Sequence, residues 1–521
     1  MIRKYLYFIL SVLLLSACNT AKKVDRQTVT ITKTLLQDKI AGGWAGKMIG
    51  VAYGLPTEFK AQGVIYEDTI YWKSSDVKRS QYEDDMYVQL TFMETMDKYG
   101  MDAPAKKYQE LLAKANYKLW HANVQARKNF HDSIFPPQSG HPDYNLHADD
   151  IDFQIEADYI GFMCPGMPQT ANKMADKIGH IMNYGEGVYG GVFVASLYAE
   201  AYMQNDIPSI INRAIQSLPV ESDYYKIIRD VIALHKQYPS DWRKTWQELE
   251  VKWGHVNTCE AGKNFNIDAK LNGAYIVIGL LYGGGDVDKT LEITTRCGQD
   301  SDCNPSNAVA LLGVMKGFSG LPVDYQKAVK QMGDSLFLHT SYSFHSAVKR
   351  TMEYAQDIII QNEGKVMEKE VMIVRQQPVA FPMEDAFQGV AFHKRLNMSD
   401  PGWNLSGSWM MDKDKSAIFS NKAGDELSLN FEGTGVSIEG WWIKEGGKAD
   451  VYIDGVLKGT IDCFFYYANQ EHRGINIFHI LNLPQGKHSV RLVVKGEKRA
   501  ESADCVIGVT GAVIFRASGE L

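Results

Sequence analysis

Positive charge is in short supply. The chain carries 55 Lys and Arg against 62 Asp and Glu over 521 residues, a net charge of -7. Beyond the N-terminal segment no run of basic residues occurs. A basic stripe is the usual footprint of a nucleic-acid binder, so nucleic acid is excluded as the main partner. Cysteine is also sparse. None of the seven stands in Cys-x-x-Cys or Cys/His zinc spacing, which excludes a zinc ribbon or finger. A Cys463–Cys505 disulfide is open in an exported protein, and buried free thiols are equally open. After the first fifteen residues, no apolar stretch approaches the roughly 20 residues that span a bilayer. Internal repeats and low-complexity tracts are lacking too.

What remains is an ordinary globular composition, 45% hydrophobic and 22% charged, ample for a large core. The start, "MIRKYLYFILSVLLLSACNT", places Arg3 and Lys4 before an apolar run to Leu15, then small residues and Cys18. That run is short for a membrane span and fits a secretory signal. The "LSAC" ending resembles a bacterial lipoprotein signal. The expectation is a signal over residues 1–18 with Cys18 lipidated, a linker over 19–33, and a chain held at the bacterial envelope by its lipid alone.

From Leu35 the pattern is helical. "GGVFVASLYAEAYMQ" and "AYIVIGLLYGGG" are apolar all round and rich in small residues, as helices buried in a bundle are. After Val371 short segments alternate apolar and polar residues between Gly, Asp-Gly and Pro-Gln-Gly turns, the signature of hairpins. The fold expected is multidomain: an all-α domain over 34–368, then an all-β jelly roll or β-sandwich over 372–521. Trp441, Trp442, Phe464, Phe465, Tyr466 and Tyr467 offer faces for stacking sugar rings, although aromatic residues in strands more often fill a core.

The chemistry gathers at helix starts. "GQDSDCN" puts Asp300 and Asp302 just before a small-residue helix, with Asn304 expected as N-cap and Pro305 at the first helical position. "YEDDMYVQLTFMETM" puts Glu83, Asp84 and Asp85 before another. Solvated caps that complement the helix dipole explain such placements. So does a divalent cation that relieves their repulsion; oxygen-only ligands suit Mg²⁺, Mn²⁺ or Ca²⁺. A third acidic stretch, "HADDIDFQIEADYIGF", holds Asp149, Asp150, Asp152, Glu156 and Asp158. On a helix Asp152 and Glu156 share a face, either toward solvent or into a cleft.

Three blocks in order resemble the ADP-ribosylglycohydrolase family. They are "DKIAGGWAGKMIGVAYGLPTEF" with Gly46, Gly50, Gly54, Pro56 and Glu58; "EDDM" in place of Thr-Asp-Asp-Thr; and "GQDSDCN" in place of Gly-x-Asp-Thr-Asp-Thr-Asn. The resemblance runs over about residues 35–320. It implies one or two Mg²⁺ or Mn²⁺ ions, with Asp84, Asp85, Asp300 and Asp302 as ligands, Glu83 as an additional one, and Glu58 near metal or substrate. Val51, Glu83, Met86, Ser301 and Cys303 depart from the family pattern. The activity implied is metal-assisted cleavage of a glycosidic bond, with Glu58, Asp152 or Glu156 as candidate proton acceptors. Before a buried helix, Asn183 and Glu186 are expected either to line the substrate cleft or to form a capping loop, and Asn257 is a further candidate for the cleft. His255 stands beside Asn257. Outside the cytoplasm, a glycan or glycoside is the expected substrate. A sugar-binding lipoprotein without turnover is the alternative, and metal-dependent phosphoester hydrolysis a weaker third.

Overall fold

The computed structural model describes residues 27–255, 258 and 260–518. The signal segment, Cys18 and Asn257 lie outside the described residues. Among the described residues, sixteen α-helices come first and the main sheets follow. Seven of the sixteen helix entries obey simple capping chemistry. Thr32, Asp206, Ser222, Asp241, Asp268, Asp286 and Ser343 each accept a backbone N–H of the first turn of their helix.

The centre of the bundle is a contact between the helices Lys33–Gly54 and Cys303–Lys316. Glycines repeat every four residues along the first, so they share one face. A Cβ on Gly42 would meet Gly313 O at 2.1 Å, one on Gly46 Val309 O at 2.3 Å, and one on Gly50 Ser306 Cα at 2.3 Å. The backbones therefore touch, and side chains would hold them apart. Around this pair Trp44, Met48, Phe92, Tyr159, Phe162, Tyr198 and Ile276 are fully buried in one cluster.

The last residues of the expected linker are a strand. Thr28–Thr32 pairs antiparallel with Glu370–Val374, Ile31 facing Val371 and Val29 facing Ile373. Lys365–Val366 joins on the other side of Glu370–Val374. The alternation at Val371 and Ile373 thus closes the helical half, and the sandwich strands begin at Val390.

The C-terminal domain consists of two antiparallel sheets. One runs Val456–Asp462, Lys448–Ile453, Gly486–Val494, Glu426–Gly433, Trp403–Ser406. In it Val451, Leu492 and Leu427 face one another across three strands and are buried. The other runs His472–Ile480, Gly435–Trp442, Ile507–Ala517, Ile418–Ser420, Met410–Met411, with Val390–Asn397 also paired to Ile507–Ala517. Trp441, Trp442, Phe464 and Phe465 are buried and serve packing rather than sugar stacking. Tyr466 is exposed, and Tyr467 stacks on His131 of the helical domain at 3.8 Å between ring centroids. Cys463 and Cys505 are free thiols. Among the described residues no helix is long and apolar enough to cross a membrane.

The two domains are joined by polar bonds as well as packing. Buried Gln470 donates to Leu119 O at 2.8 Å and accepts from Leu119 N at 3.0 Å. Arg499 pairs with Asp132 at 2.8 Å. The segment gripped by Gln470 leads directly into Trp120 and His121, which form a wall of the cavity described next.

Candidate metal and substrate site

The glycine-lined contact decides where the acidic residues go. Because Lys33–Gly54 lies against Cys303–Lys316 along its length, the loops at one end of each helix meet. Thr57 Oγ1 and Ser301 Oγ are 2.9 Å apart. Phe59 N donates to Gln299 O at 3.0 Å, and Gln299 N donates to Ala61 O at 2.8 Å. These bonds fix Glu58 beside Asp300 and Asp302, with ligand-capable oxygens of all three within 4.8 Å of one another.

Two further segments complete the site. The helix Asp84–Tyr99 brings Glu83 and Asp84, and the short helix Asp152–Glu156 brings Asp152. Glu58, Glu83, Asp84, Asp152 and Asp300 line one cavity of about 310 Å³, together with Phe59, Tyr87, Trp120, His121, Asn123 and Cys303. Asp302 is reached from the same cluster through Asp300 and Glu58.

The acidic groups sit at cap positions without capping. The N-cap of Asp84–Tyr99 is Glu83, and that of the Cys303–Lys316 helix is Asp302, two positions earlier than Asn304. No side-chain capping bond is made by either, unlike the seven entries above. Asn304 instead donates to Asn272 Oδ1 at 2.8 Å inside the first turn. Dipole complementation does not account for six carboxylates at one point.

Burial without basic partners shifts these groups strongly. Burial, then Asp302 and Asp84, push Glu58 up to about 9. Burial and Asp302 push Glu83 up to about 7. Burial raises Asp84 and Asp300 well above the usual carboxylate range, helped by Asp85 and Asp302 respectively. Burial and Asp85 hold Asp302 at about 6, and burial and Asp150 hold Asp152 at about 7. The Oδ1 atoms of Asp300 and Asp302 are buried with no hydrogen-bond partner. Buried carboxylates in this state either take up protons or gather round a cation. The donor set is oxygen-rich and hard, and it fits Mg²⁺ or Mn²⁺.

Asp85 stands apart from its neighbours. It is fully buried behind the cavity, where Lys47 Nζ reaches it at 3.0 Å, Ser306 Oγ at 3.2 Å and Cys303 Sγ at 3.2 Å. Lys47 is equally buried and also meets Asp158 at 3.0 Å and Ile155 O at 2.6 Å. Although burial opposes its charge, Asp158 and Asp85 hold it above the ordinary lysine range. Lys47 therefore neutralises the rear of the site and leaves the front acidic. Its signal in the sequence is a lone charge inside the small-residue run "GWAGKMIG".

The remaining expected residues divide. Glu156 is buried behind Asp152, its Oε1 accepting from Asn123 Nδ2 at 2.5 Å and its Oε2 unpartnered. Asp152 accepts from Asn123 N at 3.0 Å and Ala122 N at 3.4 Å, at the start of the helix His121–His131. Asn183 is not brought to the cavity. Its amide donates to the carbonyls of Ala148 and Asp150 and its oxygen accepts from Phe153 N, so it braces the acidic segment from behind. Glu186 is also elsewhere. It accepts from Asp223 N and Tyr224 N at 2.9 and 2.8 Å, and lines a second cavity with Lys270 and His255. Asn123, Tyr87 and His121 carried no distinguishing pattern in the sequence; tertiary contact alone reveals them.

The ADP-ribosylglycohydrolase family profile matches residues 32–359. Two curated proteins of Flavonifractor plautii are 28% identical over short stretches: an A type blood N-acetyl-alpha-D-galactosamine deacetylase, over 22% of this chain and 14% of its own length, and an A type blood alpha-D-galactosamine galactosaminidase, over 17% and 8%. The chain thus spans a small part of either relative. A solved structure described as an ADP-ribosylglycohydrolase-related protein complex is 14% identical, with a TM-score of 0.42, covering 62% of this chain and 98% of that one. The family match takes in more than half of the chain and every acidic segment of the cavity, and the protein belongs to the ADP-ribosylglycohydrolase family.

Proposed function

We propose that the protein is a glycoside hydrolase of the bacterial envelope, lipid-anchored through Cys18, that acts on an extracytoplasmic glycan or glycoside with help from Mg²⁺ or Mn²⁺. The observation that carries the reading is the convergence of Glu58, Glu83, Asp84, Asp152 and Asp300 on one cavity, with Asp302 clustered against Glu58 and Asp300 and with buried, unpartnered oxygens on Asp300 and Asp302. The family match and the sugar-directed names of the two curated relatives support it. The lipoprotein-like start of the sequence supports a glycan over an ADP-ribosylated protein as substrate.

Asp84, Asp300, Asp302 and Glu58 would hold the cation, with Glu83 at the rim and Asp85 behind. When bound, such an ion polarises oxygens of water and sugar hydroxyls. The protein's own groups supply the rest. Asp152 is the proton acceptor that the geometry favours: it lines the cavity, two backbone N–H groups orient it, and at about 7 it sits near a useful working pH. Glu156, one turn on, holds Asn123, whose own backbone N–H positions Asp152. The negative potential of the cavity favours positive charge on the sugar ring, as an oxocarbenium-like transition state requires. Phe59 and Trp120 give the cavity apolar walls against which a ring can lie.

The test uses the mature chain without residues 1–18. Release of sugar is followed from a panel of aryl glycosides and glycans, with Mg²⁺ or Mn²⁺ and with EDTA. Turnover that EDTA abolishes, and that falls about 10²–10⁴-fold in Asp152→Asn, is expected. Sugar binding with no turnover on any substrate, unchanged in Asp84→Ala, would refute the reading.

A further inference from the structure

Beside the acidic cavity lies a second one of about 220 Å³, in the seam between the domains. Trp120 and His121 line both. The chemistry on this side is different. His121, His147 and Asp150 present ligand-capable atoms that all lie within 4.8 Å of one another. His147 Nδ1 is 2.6 Å and His121 Nδ1 4.0 Å from the same oxygen, Oδ2 of Asp150. Opposite them the sandwich contributes His472 to the same cavity, and its Nε2 is buried with no hydrogen-bond partner.

We propose that His121, His147 and Asp150, faced by His472 of the sandwich, form a second metal site, nitrogen-rich and suited to a borderline transition metal such as Zn²⁺. Two imidazoles and one carboxylate are a recognised donor set for such ions, with a further position left for an added ligand. Tetrahedral bonds of 2.0–2.1 Å place ligand atoms about 3.3 Å apart. The two separations to Asp150 Oδ2, 2.6 and 4.0 Å, straddle that value.

The backbone of His121 shows that the site is built rather than accidental. His121 has φ 44°, a left-handed conformation that is unfavourable for a residue with a Cβ. The surroundings enforce it: the ring stacks on Phe265 at 5.6 Å, and Gln470 grips Leu119 two residues before. A hydrogen bond between His147 and Asp150 alone requires neither the strained His121 nor the unpartnered His472. Because His121 belongs to both cavities, an ion here would stiffen the wall of the acidic site and lock the sandwich to the helical domain.

Cobalt(II) reports on this directly, since tetrahedral nitrogen-containing sites absorb strongly in the visible whereas all-oxygen octahedral sites absorb weakly. The metal-free mature protein is titrated with Co²⁺ and then with Zn²⁺. Expected are strong visible bands that Zn²⁺ displaces, that vanish in His147→Gln and that persist in Asp300→Asn. His472→Gln should weaken Co²⁺ binding at least tenfold. The X-ray absorption edge of zinc bound to unaltered protein guards against misfolded variants: imidazole scattering is expected. No visible bands, an all-oxygen zinc shell, or bands unaffected by His147→Gln would overturn the proposal; an unaffected His472→Gln would overturn the role of the sandwich.

Discussion

At the scale of single residues the cavity is governed by proton affinity. Glu58, Glu83 and Asp152 have folded-state values of about 9, 7 and 7, all raised first by burial. An unfolded carboxylate titrates near 4 to 4.5. The folded protein therefore binds protons more tightly than the unfolded chain. The stabilisation this brings is complete below the unfolded values and is lost as pH rises through about 7 and on towards 9. In EDTA the melting temperature should fall between pH 5 and pH 9, and Mn²⁺ should restore it most at the alkaline end. Glu58→Gln should flatten the EDTA slope. A scanning-fluorimetry series over pH checks this, and an EDTA melting temperature that climbs with pH in the wild type but not in Glu58→Gln would contradict it. Lys47 shows the opposite solution to the same problem: a buried cation supplied by the chain for Asp85 and Asp158.

At the scale of elements, the glycine face of Lys33–Gly54 positions the chemistry. Gly46, Gly50 and Gly54 at four-residue spacing were legible, as were the helical half as a whole and the alternating strands beyond. Two details were hidden. The Cys303–Lys316 helix begins before Asn304, because the cap rule weighs residue type and cannot know that Asn304 is claimed by Asn272. The strand Thr28–Thr32 was hidden because five residues with a partner more than 330 positions away carry little local signal. Gly50→Val tests the element directly. Its side chain would collide with Ser306 Cα and Pro305 O, both backbone atoms that cannot swing aside. Overpacking of this kind should lower stability by about 2–3 kcal/mol and weaken divalent-cation binding at the same time. Denaturant melts and metal titrations on one variant show both, and loss of stability with unchanged cation affinity would separate packing from site.

At the scale of the molecule, the sandwich braces the helical half. Gln470 makes two bonds to the backbone of Leu119, and the next residues, Trp120 and His121, wall the cavity. Gln470→Ala strands two buried backbone groups, which should cost about 1–3 kcal/mol. It should also lower kcat as well as raise KM on whichever glycoside is turned over, because the loosened segment runs straight into Ala122 and Asn123, whose backbone N–H groups hold Asp152. Two domains were evident in the sequence; that one of them clamps the acidic cavity of the other was not, since Gln470 and Leu119 are 351 residues apart. The acidic blocks were legible as blocks; that Asn183 and Glu186 hold backbone groups away from the acidic cavity was not. All of this depends on six carboxylates being gathered for a divalent ion. Calorimetric titration of Mn²⁺ into metal-free wild type and into Asp302→Asn at pH 8 measures it most directly. One or two ions bound by the wild type, at least tenfold more weakly by the variant, are predicted. Equal binding by both proteins, or no binding at millimolar Mn²⁺, would contradict the account.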